Sequence, residues 1–145
     1  MRLSIAVAAS LALLTVAVTA RGDEVHPPIT ALAFSPDGKF LVIGSQAGIE
    51  VRSLPKLTLE RTLPTTLAAI HDLSFSPDGN VLAAGGGKPG VRGACEIFGW
   101  PEGELVRRMA DHKDCIYCVA WRDENRLATA GHDGLIAAYQ LDSDD

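Results

Sequence analysis

The chain has 145 residues, with 13 Lys and Arg against 18 Asp and Glu, and a formal net charge of −5 at neutral pH. Charges of both signs are scattered along it, so it lacks the clustered basic face that nucleic-acid binding requires, and no nucleic-acid partner is expected. After the first twenty residues, no apolar run is long enough to span a bilayer.

The first twenty residues predict a secretory signal peptide. Met1-Arg2 is a short basic start, the stretch from Leu3 to Val18 is almost entirely apolar, and small residues at 18–20 precede a polar segment. That order is typical of a leader that is cleaved, here after Ala20. The alternative is an uncleaved leader that tethers the chain to a membrane, because the apolar run is near the lower limit for spanning. The sequence therefore predicts export to the periplasm or the extracellular space.

An internal repeat begins after a short N-terminal segment at residues 21–28. The stretch Leu32–Gly38 is nearly identical to Leu73–Gly79, which places Phe34 and Phe75 41 positions apart. A third, weaker copy of the same strand ends at Trp121. A repeat of about 40–45 residues with several short strands is typical of the blades of a β-propeller. The sequence thus predicts an all-β fold, a partial propeller of about three antiparallel blades.

Turn residues and apolar runs divide this region into units at 29–63, 69–109 and 111–142, before an acidic tail at 143–145. The first two units have four predicted strands and the third has three, without an outer strand. The predicted strands are 29–34, 39–45, 49–53, 57–63, 69–75, 80–85, 94–99, 104–109, 115–121, 126–131 and 135–141. The glycine-rich stretch Gly86–Gly93 is predicted to be a flexible loop. It does not fit a phosphate-binding loop, because Pro89 follows Lys88 and strands flank it.

The first hairpin of each of the first two units closes with Ser-Pro-Asp-Gly. Pro presets φ at the second turn position, Asp suits the third, and Gly accepts a left-handed conformation at the fourth. In the third unit, Asn125 is expected to occupy the left-handed position, because Asn tolerates it best after Gly. The predicted structural turn residues are Pro36, Asp37, Gly38, Pro77, Asp78 and Gly79.

These units resemble the WD-repeat (tryptophan–aspartate repeat) family over essentially all of residues 29–142. The third unit matches best: His112 lies nine residues before Trp121, and a hydroxyl, an Asp and an aromatic residue follow at the expected positions. The resemblance implies a buried hydrogen-bond network, formed here by His112, Thr129, Asp133 and Tyr139. The first two units lack these residues, with Thr66 at the position of His112, so they are expected to rely on apolar packing. The Ser-Pro-Asp-Gly turn is less specific, since TolB-like propellers share it.

Residues that could carry chemistry are few. Cys95, Cys115 and Cys118 are expected to be buried structural thiols, and Cys115 and Cys118 are poorly placed to pair because i and i+3 on a strand face opposite sides. The three His/Asp pairs along the chain lack the spacing of zinc motifs, so no metal and no cofactor is expected. No nucleophile elbow or other catalytic motif is present, so no catalytic residue and no enzymatic activity is predicted.

The function that the sequence favours is an exported scaffold that binds protein partners through its loops. Arg52, Lys88, Arg92 and Trp100 are the candidate contacts, all expected on exposed loops. The alternative is a fragment of a propeller-containing enzyme or sensor, TolB-like or fused to a catalytic module, whose active part lies elsewhere. Three units also leave open propeller edges with exposed apolar faces. The sequence therefore predicts either the first part of a longer propeller, which the lack of a visible terminal cap favours, or self-association of copies through these edges.

Overall fold

The computed structural model describes residues 26–142, and all regular structure in this range is β-strand. The predicted signal peptide and the acidic tail lie outside the described residues. The eleven strands are β1 (Ile29–Phe34), β2 (Phe40–Ser45), β3 (Gly48–Ser53), β4 (Thr58–Leu63), β5 (Ile70–Phe75), β6 (Val81–Lys88), β7 (Arg92–Gly99), β8 (Leu105–His112), β9 (Ile116–Trp121), β10 (Arg126–Gly131) and β11 (Ile136–Gln140).

The strands form three antiparallel sheets, each in chain order: β1–β4, β5–β8 and β9–β11. We call these the first, second and third blades. The predicted all-β fold with about three blades is therefore confirmed. Tight turns join successive strands, so each blade is a local meander that needs no long-range crossover.

Two apolar clusters hold the blades together. The first lies between the first and second blades, and includes Val42, Ile49, Ile70, Leu82 and Phe98. The second lies between the second and third blades and contains residues such as Ile97, Met109, Val119 and Leu127. Fully burying a side chain of this size contributes about 1.5–3 kcal/mol relative to exposure, so stacking of neighbouring blades is the main stabilising contact.

Each stacking contact places an isoleucine of one blade against a glycine of the preceding blade. A Cβ at Gly44 would lie 2.5 Å from Cγ2 of Ile70, and one at Gly85 would lie 2.9 Å from Cγ2 of Ile116. Ile70 and Ile116 occupy the same register position in their blades, opposite Gly86 and Gly131. Glycine is needed at 44 and 85 because only it lets the next blade approach this closely.

The predicted flexible loop at Gly86–Gly93 is wrong. Strands β6 and β7 continue through these glycines, and only residues 89–91 form the turn between them. A Cβ at Gly86 would overlap the carbonyl of Ala69, and one at Gly93 would overlap that of Asp114. The glycines therefore let a long hairpin pass between the two connections that join the blades.

The first hairpin turns behave as predicted in two blades and differently in the third. Asp37 Oδ1 accepts hydrogen bonds from Ser35 Oγ at 2.6 Å and from the Lys39 amide at 3.1 Å, and Gly38 has φ of 69°. Asp78 and Gly79 repeat this arrangement. The expected left-handed Asn125 is wrong, because Leu57 is the only non-glycine residue with positive φ in the described range. Asp123 Oδ1 instead accepts from the Asn125 amide at 3.2 Å.

The meander places the connections at two opposite ends of the blades. One end carries the β2–β3, β6–β7 and β10–β11 turns together with the β4–β5 and β8–β9 connections, and we call it the upper face. The lower face carries the remaining turns. Within residues 26–142, no helix is present that could cross a membrane.

Candidate interaction surface and its buried supports

The β6–β7 hairpin forms the most prominent feature of the upper face. Its tip, residues Lys88–Arg92, is exposed throughout, and Val91 keeps 52% of its surface open to solvent. Lys88 and Arg92 pair across the hairpin just below the turn, so both cations emerge at the same place. The tip therefore combines two positive charges with one apolar side chain on a strand-supported hairpin.

Asp114, in the β8–β9 connection, braces this tip. Its Oδ1 accepts hydrogen bonds from the Gly90 amide at 2.9 Å and the Cys115 amide at 2.7 Å. Its Oδ2 accepts from His132 Nδ1 at 3.1 Å. The Gly90 and Cys115 amides, followed by His132, hold the pKa of Asp114 below its ordinary value, despite partial burial. One carboxylate thus joins the hairpin tip of the second blade to the β10–β11 turn of the third.

Below the upper face, His112, the last residue of β8, joins the second blade to the third. Its Nδ1 lies 3.0 Å from Asp133 Oδ1, and its Nε2 lies 2.8 Å from Thr129 Oγ1. Because a carboxylate can only accept, Nδ1 donates to Asp133, and Nε2 shares the second hydrogen bond with the Thr129 hydroxyl. Asp133 also accepts from the amides of Lys113 at 2.8 Å and Leu135 at 3.1 Å. The structure thus brings together three of the four residues of the implied network.

Tyr139, the fourth residue, packs into the second apolar cluster. Its hydroxyl is buried and makes no hydrogen bond of normal geometry. Burial, followed by the nearby Asp111 carboxylate, raises the pKa of Tyr139 to about 12, with Thr129 acting in the opposite direction. The hydroxyl therefore lies near the network without being tied into it, and Tyr139 acts mainly as a packing residue.

A second buried network, centred on Glu96, was not predicted. The Glu96 side chain, on β7, is fully buried, and its Oε2 accepts from Thr65 Oγ1 at 2.7 Å. Oε1 accepts from the Thr66 hydroxyl and amide, and Arg108 Nε lies 3.5 Å away. The expectation that the first two blades rely on apolar packing alone is therefore wrong for the second. The available signal was a lone acidic residue inside the otherwise apolar strand around Ala94–Phe98.

Two of the four candidate contact residues are not on exposed loops. Arg52 lies in β3, where its guanidinium is 2.7 Å from Glu50 Oε2 and Nη1 donates to the Leu57 carbonyl at 3.0 Å. Trp100 is half-buried on the lower face, packed edge-on against Phe75 and Phe40 with the Arg61 guanidinium 5.2 Å from its ring. Both predictions of loop exposure are wrong, because local ion pairing and aromatic packing cover these side chains. Lys88 and Arg92 remain exposed.

The cysteines are all free, and two of the three are buried as expected. Burial, with smaller effects from Glu96 and Asp72, raises the pKa of Cys95 to about 12. Cys118 is exposed, contrary to expectation, because this side of β9 has no neighbouring blade among the described residues.

Asp72, one of the acidic residues of the predicted His/Asp pairs, has a structural contact. Its Oδ2 accepts from the Val119 amide at 2.7 Å, which links β5 to β9 across the blades. In residues 26–142, no group of three or more His, Cys, Asp and Glu side chains is placed to hold a metal ion.

Stacked antiparallel meanders of four, four and three strands, the last with a His–Asp–Thr network, are the blades of a β-propeller. The family model for the WD domain, G-beta repeat, matches residues 21–49, 57–88 and 103–139, more than half of the chain. The chain therefore belongs to the WD-repeat family. The second match runs from β4 to β6 and the third from β8 into β11, so each of these two sequence repeats spans two neighbouring blades.

The similar proteins include several WD-repeat proteins of much greater length. The chain is 31% identical over 121 residues to the UBP9-binding protein bun62 of Schizosaccharomyces pombe, covering 79% of this chain and 22% of that protein. It is 29% identical over 119 residues to actin-interacting protein 1-2 of Arabidopsis thaliana, covering 79% and 19%. With the zebrafish (Danio rerio) intraflagellar transport protein 122 homolog, it shares 34% identity over 71 residues, 48% and 6% of the two chains. The chain thus spans about a fifth or less of these relatives.

Proposed function

We propose that the protein is an exported scaffold that binds a protein partner through the β6–β7 hairpin tip. The observation that carries this proposal is the tip itself: Lys88, Val91 and Arg92 are exposed, while Asp114 fixes the turn between them. A tip that is already ordered loses little conformational entropy on binding, which favours affinity. The names of two relatives, UBP9-binding and actin-interacting, describe protein partners of those proteins.

The chemistry of the tip favours an acidic segment on the partner. Two cations close together attract carboxylates and speed encounter, and an apolar residue between them adds contact area. The proposal assigns no catalytic step to this chain. Its His112, Asp133, Asp72 and Glu96 are all paired with neighbouring side chains or backbone amides, which supports a structural use of these side chains.

Export is part of the same proposal and rests on the leader at residues 1–20, with membrane attachment only where that leader is retained. The test is expression of the tagged full chain, fractionation, and mass spectrometry of the mature N-terminus. We expect the protein outside the cytoplasm with a terminus at Arg21. A cytoplasmic chain with an intact leader would contradict export.

The interaction is tested by capture from the exported fraction with the wild-type chain and a Lys88→Glu/Arg92→Glu variant. The matched control is Lys39→Glu/Lys56→Glu, which makes the same charge change on exposed lower-face residues. We expect the tip variant alone to lose the partner, and capture to weaken with salt, because exposed charges are screened. Equal capture by all three proteins would contradict the proposed surface.

A further inference from the structure

Within residues 26–142, no further blade covers either outer flank of the three-blade stack, and the two flanks differ in shape. The first-blade flank, formed by Ile29, Leu32, Phe34 and Leu59, exposes large apolar side chains; Phe34 is 66% exposed and Leu32 57%. The third-blade flank carries alanines at 120, 128, 130 and 138. One flank therefore projects side chains, and the other is recessed.

Inside the stack, the second and third blades each pack one aromatic residue against the blade before them. We call the site on the preceding blade the aromatic seat. Phe75 packs into the first cluster with Ala33 and Phe40 of the first blade. Trp121 packs into the second cluster with Val81, and its Nε1 donates to the Ser74 carbonyl at 3.0 Å. These seats are equivalent by strand register, since Ala33 pairs with Val42 and Ser74 pairs with Ala83.

No residue in the part of the chain that the structure describes occupies the equivalent aromatic seat on the third blade. Ala120 pairs with Ala128 at the corresponding register position, and together with Arg126 and Ala138 they line an open depression of about 440 Å³. Phe34 is the register equivalent of Phe75 and Trp121, because these residues pair with Leu41, Leu82 and Leu127 respectively. Among residues 26–142, Phe34 therefore has no partner blade to pack on, and the Ala120–Ala128 depression has no aromatic residue packed into it.

We infer that two copies of the chain associate head to tail, with Phe34 of each copy in the Ala120–Ala128 depression of the other. A heterologous contact of this kind closes a ring when its rotation permits. The three described blades of two copies make six, within the four to eight that propellers typically contain, whereas those of three copies would make nine and exceed that range. The association is therefore expected to stop at a dimer. It rests on the self-association that the open edges predict and uses none of the hairpin tip.

One position limits the fit of this contact. Ile29 is the register equivalent of Ile70 and Ile116, which lie against Gly44 and Gly85. The corresponding residue on the third blade is Ala130, opposite Cys118. Its methyl group occupies the space that glycine leaves open in the other two contacts. The proposed contact is consequently weaker than the internal ones, and Ala130→Gly should strengthen it.

The test is sedimentation or light scattering of the purified full chain over a range of concentrations. We expect a monomer–dimer equilibrium, and Phe34→Ala and Ala120→Arg should each raise the dissociation constant by at least about tenfold. Ala130→Gly should lower it by about fivefold or more, while its melting temperature falls because glycine weakens a strand. Val106→Ala, an exposed residue on β8 away from both flanks, is the control and should leave the equilibrium unchanged.

Mixing the two damaged proteins identifies the geometry. Phe34→Ala retains an intact third-blade flank and Ala120→Arg an intact first-blade flank, so their mixture should dimerise through one restored contact. A monomer at every concentration, or an array larger than two copies, would overturn the inference. So would Ala120→Arg dimerising normally, since two first-blade flanks would then meet. Capture through Lys88 and Arg92 is measured separately, so loss of either result leaves the other intact.

Discussion

The second and third blades each hold the segment that leads into them with a buried polar network, but the two networks use different side chains. In both, a residue on the segment that leads into the blade is fixed to a strand of that blade: Thr66 of the β4–β5 connection to Glu96 on β7, and His112, the last residue of β8, to Thr129 on β10. Glu96 and Thr129 belong to equivalent cross-strand pairs of their blades. The pair is Ala84 with Glu96 in the second blade and Thr129 with Ala137 in the third. In the second blade the polar member of the pair is on the third strand, and in the third blade it is on the second strand. Alanine is the other member in both.

This comparison shows that the strand register fixes where the buried polar residue lies. The length of the side chain on the entering segment decides which residue type is needed there. A threonine in the connection is short, so the strand must supply the longer glutamate side chain. Histidine is long enough to reach a threonine on the strand and still pair with Asp133 in the turn. Each network satisfies its buried polar atoms, which is the condition for such groups to stabilise a fold.

The largest effect is expected from removing the carboxylate of the second blade. Glu96→Ala leaves the hydroxyls of Thr65 and Thr66 and the Thr66 amide without an acceptor and opens a cavity in a fully buried site. We expect a loss of about 3 kcal/mol in the free energy of unfolding. Chemical denaturation measures it, and Glu96→Gln, which keeps the shape and one acceptor, should cost clearly less. Equal losses in the two variants would show that the carboxylate is not the anchor.

His112→Ala should have the next largest effect, because it leaves Thr129 and Asp133 without their buried partner. We expect a loss of about 1–3 kcal/mol. The control is Lys88→Ala, on the exposed hairpin tip, which should change stability by less than about 0.5 kcal/mol. Hydrogen exchange should localise the loss to β9–β11 for His112→Ala and to β5–β8 for Glu96→Ala. Identical melting of His112→Ala and Lys88→Ala would contradict the third-blade network.

A smaller effect is expected from removing one hydroxyl of the second-blade network. Thr66→Val retains the amide that donates to Glu96 but deletes the side-chain donor. A hydrogen bond to a charged group contributes about 1.5–3 kcal/mol, and we expect the loss at the lower end of that range because the Thr66 amide still donates to Glu96. The double variant Glu96→Gln/Thr66→Val should lose less than the sum of the single losses, since the two groups share one interaction. Simple additivity would show that the two residues act independently.

Features that depend on residues close together in the sequence were predicted, and features that depend on residues far apart were missed. Strand positions and the Ser-Pro-Asp-Gly turns depend on residues close together, and they were predicted to within a few positions. The network around His112 followed from the spacing of residues that resemble a known pattern. Glu96 was missed because its partners lie about thirty residues away and match no pattern. The continuous β6–β7 hairpin was missed because its glycines are required by the backbones of Ala69 and Asp114, which only the fold brings near.

The smallest expected effect is a pH dependence of stability that arises in the third blade, from Asp133. Burial acts to raise the pKa of Asp133, but hydrogen bonds from His112 and the amides of Leu135 and Lys113 outweigh it and lower the pKa from 3.8 to about 2. A carboxylate with a depressed folded-state pKa stabilises the fold fully above its unfolded value, and this contribution is lost as pH falls from about 4 through 2. The pKa values of Asp37, Asp78 and Asp114 are lowered too, so the pH dependence of the wild type alone cannot isolate Asp133.

The informative measurement is therefore the difference in unfolding free energy between wild type and Asp133→Asn, from urea denaturation at several pH values. We expect this difference to be constant above about pH 4 and to shrink toward pH 2, with the change in hydrogen exchange confined to the third blade. A difference that persists unchanged at pH 2 would mean that the ionised carboxylate of Asp133 does not stabilise the third-blade network.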